Sequence, residues 1–161
     1  MAKKTKISIA LLRLAMGWIF LWAFIDKLWG LGYNTVAERS WIEGVSPTLG
    51  FLSNTSGPFA DFFQQLAGQG WVDWLFMLGL LGIGLALILG IVVRFASVCG
   101  IALLIMMYLA SLPLSHNPFI DEHILYVLVL LLLMFEKSGN WIGFGKSWSR
   151  TRLVQSMPFF K

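Results

Sequence analysis

Residues 116–135 read His-Asn-Pro-Phe-Ile-Asp-Glu-His and then Ile-Leu-Tyr-Val-Leu-Val-Leu-Leu-Leu-Leu-Met-Phe. Asn117 suits an N-cap and Pro118 suits the first helical position, so a helix is predicted to begin here. His123 is followed by a run of apolar residues in which the only polar side-chain group is the Tyr126 hydroxyl. Such a run indicates a helix that lies mostly in a nonaqueous medium.

The first turns of this helix carry three ionisable residues in succession, Asp121, Glu122 and His123. Successive residues of an α-helix point about 100° apart, so three neighbours cannot all face away from the protein interior. At least one of them is therefore expected to point into the space that the helices enclose. The pattern does not tell which one, and all three are candidate catalytic residues.

The composition of the whole chain is that of an integral membrane protein. Of its 161 residues, 58% are hydrophobic and 12% are charged, and the mean hydropathy is +0.77. Soluble domains are typically about 25% charged. The single cysteine, Cys99, excludes an internal disulfide, a CxxC redox pair and a cysteine-ligated iron–sulfur cluster within one chain.

The hydrophobic segments predict an all-α fold: an integral membrane four-helix bundle in which residues 1–161 form a single membrane domain. The predicted spans are 7–29, 71–93, 95–112 and 118–136, with an outer loop at 30–70 and a tail at 137–161.

The basic residues predict that the N- and C-termini are cytoplasmic, because that orientation places nine of the twelve Lys and Arg residues inside. These nine are Lys3, Lys4, Lys6, Arg94, Lys137, Lys146, Arg150, Arg152 and Lys161. A multi-pass protein of a prokaryotic cytoplasmic membrane is expected. The lipid bilayer then accounts for the basic charge, and no nucleic-acid partner is predicted.

Two further patterns bear on packing. The apolar residues of the segment 59–66 recur at helical spacing, which predicts a short amphipathic helix in the outer loop, either in the membrane interface or capping the mouth of the bundle. Gly82, Ala86 and Gly90 recur every four residues. That spacing is typical of a helix face that another backbone approaches closely.

Most of the remaining ionisable residues fall at one level, the outer ends of three predicted spans. Asp26, Lys27, Asp73 and Tyr126 are candidate substrate-binding residues, and Trp29, Trp71 and Trp74 are candidate walls of a cofactor site. The charged residues equally fit solvated helix ends, and the tryptophans equally fit the aromatic belt of a membrane protein. No metal site is predicted, because nothing fixes a ligand geometry for His116 and its neighbours.

Arg13 lies deeper, about 9 Å past Ile7 and roughly 20 Å from Asp26 by helical rise. It therefore cannot touch the outer cluster. Three interpretations remain open for it: an ion pair with Glu136, a substrate-binding position at the inner end of a cavity, or a side chain that snorkels to the inner surface.

Four motifs stand out along the chain. Residues 12–18 (Leu-Arg-Leu-Ala-Met-Gly-Trp) lead to Asp-Lys-Leu at 26–28, the Gly-rich second span ends in Arg94, residues 117–123 read Asn-Pro-Phe-Ile-Asp-Glu-His, and residues 143–146 read Gly-Phe-Gly-Lys. In combination these motifs resemble the DoxX/DoxD family of membrane proteins, over nearly the whole chain. The resemblance implies a four-helix membrane protein. For the DoxD branch it implies the small subunit of a thiosulfate:quinone oxidoreductase, which oxidises thiosulfate to tetrathionate and passes electrons to membrane quinone together with a DoxA subunit.

The leading hypothesis is a membrane subunit of a quinone-linked oxidoreductase acting on a small sulfur oxyanion such as thiosulfate. Lys27 and His123, with Arg13 more distant, would offer positive charge to the oxyanion, and the triplet 121–123 would exchange protons with quinone. Quinone is the expected electron acceptor. The chain carries no haem, flavin or iron–sulfur signature, so it either passes electrons directly between bound molecules or depends on a second oxidoreductase subunit.

Two alternatives come from other classes of protein. The charged mouth and the membrane-embedded arginine also fit a non-enzymatic transporter with a solute or proton path. The small-residue helix faces and the aromatic tail fit a structural or assembly subunit of a larger membrane complex. A homo-oligomer is compatible with all three hypotheses.

Overall fold

The computed structural model describes residues 2–115 and 117–156, and over those residues it contains helices and no strands. The α-helices, in chain order, are α1 (Lys3–Trp29), α2 (Leu49–Ser53), α3 (Ala60–Leu66), α4 (Gly70–Leu89), α5 (Val93–Ala110), α6 (Glu122–Phe135), α7 (Gly145–Trp148) and α8 (Arg152–Ser156). Short 3₁₀ turns lie at Ala37–Arg39, Trp41–Glu43 and Ser138–Asn140. The predicted all-α class is confirmed.

Three of these helices, α1, α4 and α5, are long and apolar enough to cross a membrane, with 27, 20 and 18 residues. Their outward faces expose large apolar side chains, among them Leu75, Leu78, Leu85 and Val98. A contiguous exposed apolar surface marks contact with a membrane or with another protein. The first three predicted spans are confirmed as apolar helices of membrane-crossing length.

The fourth apolar helix, α6, is shorter than the predicted span 118–136. Its 14 residues rise about 21 Å, whereas the hydrocarbon core of a bilayer is about 30 Å thick. The helix lies along α5 and also contacts α1. The four apolar helices therefore pack together, but α6 begins at Glu122 rather than at the predicted Pro118.

Two capping side chains, one after the other along the chain, explain why α6 begins later than predicted. Asp121 is the N-cap of α6, and its side chain accepts a hydrogen bond from the Ile124 N–H at 3.2 Å. Asn117 instead accepts hydrogen bonds from the N–H groups of Phe119 and Ile120, at 2.9 and 3.1 Å. Its side chain thus closes a turn rather than starting a helix. The prediction that Asn117 caps the helix and Pro118 opens it is wrong.

Helices α1 and α4 are in close backbone contact through two glycines. A Cβ atom at Gly84 would lie 2.7 Å from the backbone nitrogen of Leu21, and one at Gly17 would lie 2.9 Å from that of Ile88. Any side chain at either glycine would force the helices apart. Such close approach lets apolar helices associate by van der Waals packing where the hydrophobic effect is weak.

The small residues that the sequence singled out on α4 have other roles. Among the described residues, no atom lies within 4 Å of the place where a Cβ of Gly82 would be, so the predicted close approach is not made there. Gly90 ends α4 in the left-handed conformation, with φ 72°. The backbone of Gly139 does approach Gly90, because a Cβ there would lie 3.1 Å from the Gly139 carbonyl oxygen, whereas the contact between α1 and α4 is made at Gly84.

The core between α1, α4, α5 and α6 consists of apolar side chains from all four helices. The most fully buried of them are Met16, Phe20, Met77, Leu87, Leu104, Leu130 and Leu133. Gly100 of α5 faces Leu130 of α6, where a Cβ would come within 2.8 Å of the leucine Cδ1. This packing sets the rotation of α6 and hence the direction of its ionisable residues.

The molecule has two ends, which we call the loop end and the tail end. The loop end carries residues 30–69, including α2 and α3, and the tail end carries the α4–α5 turn and residues 137–156. The predicted amphipathic helix is confirmed as α3. Its Phe63 is buried and its Leu66 packs inward, whereas Phe62 is exposed.

Candidate functional site

A cavity of about 420 Å³ lies at the loop end of the four apolar helices. We call it the loop-end cavity. Its walls come from α1, α4, α5 and α6, and the loop helices α2 and α3 also line it. Representative apolar lining residues are Phe20, Phe51, Phe63, Phe76, Leu104 and Met107. The volume falls in the range of small-molecule sites.

Few polar side chains line this cavity. They are Lys27 of α1, Thr48 at the start of α2, and His123 and Tyr126 of α6, together with the indole of Trp71 on α4. An apolar cavity with a small set of polar groups is the usual form of a site for a mainly apolar ligand. The structure thus brings together four residues that the sequence analysis predicted for the site, from three separate helices.

His123 and Asp121 form a hydrogen-bonded pair at the cavity wall. The Nδ1–H of His123 donates to Oδ2 of Asp121 at 2.6 Å, and the two side chains are 12% and 13% exposed. Because Nδ1 is committed to the carboxylate, Nε2 is the ring nitrogen that remains to exchange a proton with a ligand. The pair is the arrangement expected of a general base with a positioning carboxylate.

Opposing effects act on the pKa of the Asp121 carboxyl. Burial raises this pKa, whereas the hydrogen bond from His123, the one from the Ile124 N–H and the charge of His123 lower it. The lowering effects prevail, so the pKa of Asp121 lies below its usual value. The carboxyl is therefore ionised near neutral pH and acts as a hydrogen-bond acceptor for the histidine.

The three adjacent ionisable residues of α6 point in different directions, as their helical spacing requires. His123 lines the cavity, Asp121 supports it from the N-cap position, and Glu122 is exposed. The question that the sequence left open is thereby answered by the rotation of α6. Of the three predicted catalytic residues, only His123 lines the cavity, Asp121 is hydrogen-bonded to it, and Glu122 has neither role.

Asp26 and Asp73, predicted to bind substrate, instead hold the outer loop. Asp26 is buried and accepts hydrogen bonds from the N–H groups of Tyr33 and Asn34, at 3.3 and 3.0 Å. Neither aspartate is among the residues that line the cavity. The carboxylate of Asp26 therefore anchors the chain where it leaves α1.

The carboxylate of Asp73 anchors the same loop from α4. Its Oδ1 accepts hydrogen bonds from the hydroxyls of Ser46 and Thr48, at 2.8 and 2.5 Å, and from the Thr48 N–H at 3.3 Å. These bonds hold Thr48 against the cavity and fix the start of α2. Asp73 does not line the cavity itself, but its hydrogen bonds position Thr48, which does.

The three tryptophans predicted as cofactor walls have separate positions. Trp71 lines the loop-end cavity. The ring of Trp74 stacks edge-on against Trp41, with 4.7 Å between the ring centroids. Trp29 is exposed at the end of α1 and does not line the cavity.

Arg13 is fully buried at the tail end, far from the loop-end cavity in position along α1. Its Nη2 donates hydrogen bonds to the carbonyl oxygens of Trp141 and Ile142, at 3.2 and 2.5 Å. Within the described part of the chain it forms no ion pair with Glu136, and its burial rules out snorkelling to the surface. Those two interpretations are wrong, and it does not line the loop-end cavity.

Several cavity residues were not predicted from the sequence. Phe51 and Leu52 belong to α2, a helix too short to show a periodic pattern, and Thr48 precedes it. Phe63 belongs to α3, the amphipathic helix that was predicted to lie either in the membrane interface or over the mouth of the bundle. The helical spacing of its apolar residues was the sequence signal that could have identified this part of the site.

A second apolar cavity, of about 560 Å³, lies between α4 and α5 on the side toward the tail end. We call it the α4–α5 groove. Its small residues are Gly79, Gly82, Ala86, Ala96 and Cys99, and Trp148 of α7 also lines it.

The described residues contain no group of three His, Cys, Asp or Glu side chains placed to hold a metal ion. His116, whose role the sequence left open, lies outside the described residues. Comparison with known proteins adds no assignment: no family model matches the chain, and neither a curated protein nor a solved structure is significantly similar to it.

Proposed function

We propose that this chain is a membrane subunit of a quinone-linked oxidoreductase and that the loop-end cavity binds quinone. The observation that carries the proposal is the placement of Lys27 and His123 on the wall of a mainly apolar cavity, with His123 hydrogen-bonded to Asp121. A quinone is a flat apolar ring with two carbonyl oxygens, and such a cavity offers it apolar walls and few, placed polar groups.

Quinone reduction takes up two electrons and two protons per molecule, and the cavity residues suit the proton part of that reaction. Lys27 can donate a hydrogen bond to a quinone carbonyl oxygen and stabilise the negative charge that reduction places there. In its imidazolium form His123 can deliver the Nε2 proton to the reduced oxygen and then regain one from water. Asp121 accepts the Nδ1–H hydrogen bond throughout, which stabilises the imidazolium before the transfer and leaves Nε2 as the nitrogen that is protonated again.

The electron donor in this proposal is a small sulfur oxyanion, on the strength of the DoxX/DoxD resemblance. Two thiosulfate ions form one tetrathionate ion by making a sulfur–sulfur bond and releasing two electrons, which matches one quinone. A doubly charged oxyanion is poorly accommodated by an apolar cavity. We therefore place thiosulfate oxidation outside the loop-end cavity, in keeping with the second subunit that the resemblance implies.

The proposed setting is a prokaryotic cytoplasmic membrane with both termini in the cytoplasm and α6 as the fourth span. The tail end collects the N-terminus, the α4–α5 turn and residues 137–156, where most of the basic residues lie. A basic tail end favours a cytoplasmic position for that end. The loop-end cavity then lies toward the outer face of the membrane.

The proposal is tested with the full chain in lipid nanodiscs, titrated with a short-tailed benzoquinone and followed by equilibrium binding. We expect Lys27→Met and His123→Ala each to weaken binding by about tenfold, the loss of one good polar contact. Glu38→Gln, on the exposed loop, is the matched control and should bind like the parent. Absence of saturable binding, or equal binding by all variants, would contradict the quinone site.

Turnover is measured next, with thiosulfate and quinone in membranes that contain the chain and its co-purifying partners. We expect quinone reduction that His123→Ala lowers strongly and Glu122→Gln lowers little, because only the histidine lines the cavity. Solute uptake by proteoliposomes without any redox turnover would favour the transporter. Partner binding without turnover or uptake would favour an assembly subunit.

A further inference from the structure

We propose that the ligand of the loop-end cavity is a long-tailed membrane amphiphile whose apolar tail leaves between α4 and α5 and lies in the α4–α5 groove. This inference rests on the proposed quinone function for the ligand's head and adds the ligand's class and its path. A long-chain isoprenoid quinone dissolved in the bilayer has this form. A short, water-soluble quinone does not.

The first observation is that the loop-end cavity opens through apolar side chains. Among its lining residues, Trp71, Leu75 and Met106 are 60%, 66% and 39% exposed. The first two belong to α4 and the third to α5. An opening framed by such residues on membrane-crossing helices faces lipid rather than water, so the ligand enters sideways from the bilayer.

The second observation is that the α4–α5 groove continues the cavity along the same two helices. Leu75 lines the cavity and Gly79, one turn further along α4, lines the groove. On α5, Leu103 lines the cavity and Cys99, one turn nearer the tail end, lines the groove. From Leu75 to Ala86 the path follows α4 for about 16 Å.

The glycines of the groove contact no other helix within the part of the chain that the structure describes. Gly79 and Gly82 have no atom within 4 Å of the place where a Cβ would be, whereas a Cβ at Gly84 or Gly100 would overlap a neighbouring helix. The missing side chains at Gly79 and Gly82 therefore leave an open channel on the lipid-facing side. An apolar tail in that channel gains van der Waals contact with the side chains that line it.

The shape of the groove favours a tail over a helix from another chain. The path from Leu75 to Ala86 is about 16 Å long, and Trp148 of α7 lines the groove at the tail end. A transmembrane helix spans about 30 Å, so it would occupy the groove over only part of its length. A flexible tail can follow the groove as far as Trp148, and the head of the same molecule fills the loop-end cavity.

The test fills the groove and compares two quinones that share a head and differ in the tail. Gly82→Leu places an isobutyl group in the open channel, and Leu85→Phe on the exposed face of α4, outside both cavities, is the matched control. In nanodiscs, we expect Gly82→Leu to weaken binding of a decaprenyl benzoquinone by about tenfold. Binding of the tail-free quinone should stay unchanged, and Leu85→Phe should change neither.

Equal effects of Gly82→Leu on the two quinones, or no effect on either, would overturn the inference. A second measurement does not depend on the variant: a decaprenyl benzoquinone with a diazirine on the third prenyl unit of its tail is photolysed in complex with the parent chain. Labels within residues 79–99 or at Trp148, which line the groove, support the inference, and labels confined to other helices or to lipid overturn it.

A third ligand separates this inference from the proposed function. A dimethoxybenzene with the same decaprenyl tail cannot accept electrons. If it binds with the same dependence on Gly82 while quinone turnover is absent, the tail site stands and the oxidoreductase proposal fails. If turnover occurs and the tail has no effect on binding, the oxidoreductase proposal stands and the tail site fails.

Discussion

The guanidinium of Arg13 donates a hydrogen bond from Nη2 to the carbonyl oxygen of Ile142 at 2.5 Å, across 129 positions of the sequence. Ile142 adopts the left-handed conformation, with φ 50°, which is rare for a β-branched residue. The buried arginine and the strained residue together fix the tail to the middle of α1. The tail is therefore part of the folded core and not a surface appendage.

Replacing Arg13 is expected to release the tail. Arg13→Met leaves the carbonyl groups of Trp141 and Ile142 without their donor in a partly buried site, which lowers the free energy of unfolding by about 2 kcal/mol. Trypsin should then cleave after Lys146 much faster than in the parent chain. Lys4→Met, at an exposed position of the same helix, is the control. Unchanged cleavage in Arg13→Met would show that other contacts hold the tail.

Gly90 supports the same contact from α4. Its φ is 72°, and a Cβ there would overlap Nη1 of Arg13. Gly90→Ala combines the left-handed strain of roughly 1–2 kcal/mol with displacement of the guanidinium, so thermal unfolding should begin at clearly lower temperature. Gly82→Ala, in open space on the same helix, should leave the unfolding temperature unchanged or raise it. Equal unfolding temperatures for the two variants would contradict the role of Gly90.

Asp73 is expected to control the order of the loop above the cavity. Asp73→Ala leaves the Ser46 and Thr48 hydroxyls and the Thr48 N–H without their acceptor, a destabilisation of about 2 kcal/mol. Amide hydrogen exchange over residues 46–53 should become faster, and quinone affinity should fall because Thr48 and Phe51 line the cavity. The exposed Asp61, changed to Ala, should alter neither property. Preserved protection in Asp73→Ala would contradict the anchoring role.

Acidification is expected to loosen the start of α6 through Asp121. A carboxyl with a lower pKa in the folded state adds stability above its unfolded pKa, about 3.9, and that stability is lost as pH falls through the lower folded value. Protection of the Ile124 amide, corrected for intrinsic exchange, should therefore be constant from neutral pH to about pH 4 and decline below it. Asp121→Asn should show less protection and no decline in that window. A decline that begins clearly above that pH would contradict the assignment to Asp121.

The position of α6 illustrates what local pattern can and cannot predict. Its apolar run was evident, because the hydropathy of each residue is local. Its first residue was not, since Asn117 and Asp121 are both good caps and only the folded chain selects between them. The same helix shows why the direction of the triplet 121–123 was undetermined. Packing of Leu130 on Gly100 sets its rotation, and that contact is distant in sequence.

The charged residues also divide into those whose position the local sequence predicted and those whose partners only the folded chain determined. Lys27 and His123 were expected at one site because both stand at the loop end of their helices, and both line the cavity. Asp26 and Asp73 stand at the same level but bind loop hydrogen-bond donors. No spacing rule identifies those donors, because they belong to an irregular segment whose path depends on the whole assembly.

By itself the sequence determined the helical class, the three long apolar helices and the amphipathic helix of the loop, because hydropathy and periodicity are properties of short segments. Tertiary structure alone decided which polar groups line the cavity, where α6 begins, and that Arg13 binds the tail. The physical reason is that most buried polar groups are hydrogen-bonded. Which partner it finds depends on backbone groups that only folding brings near it.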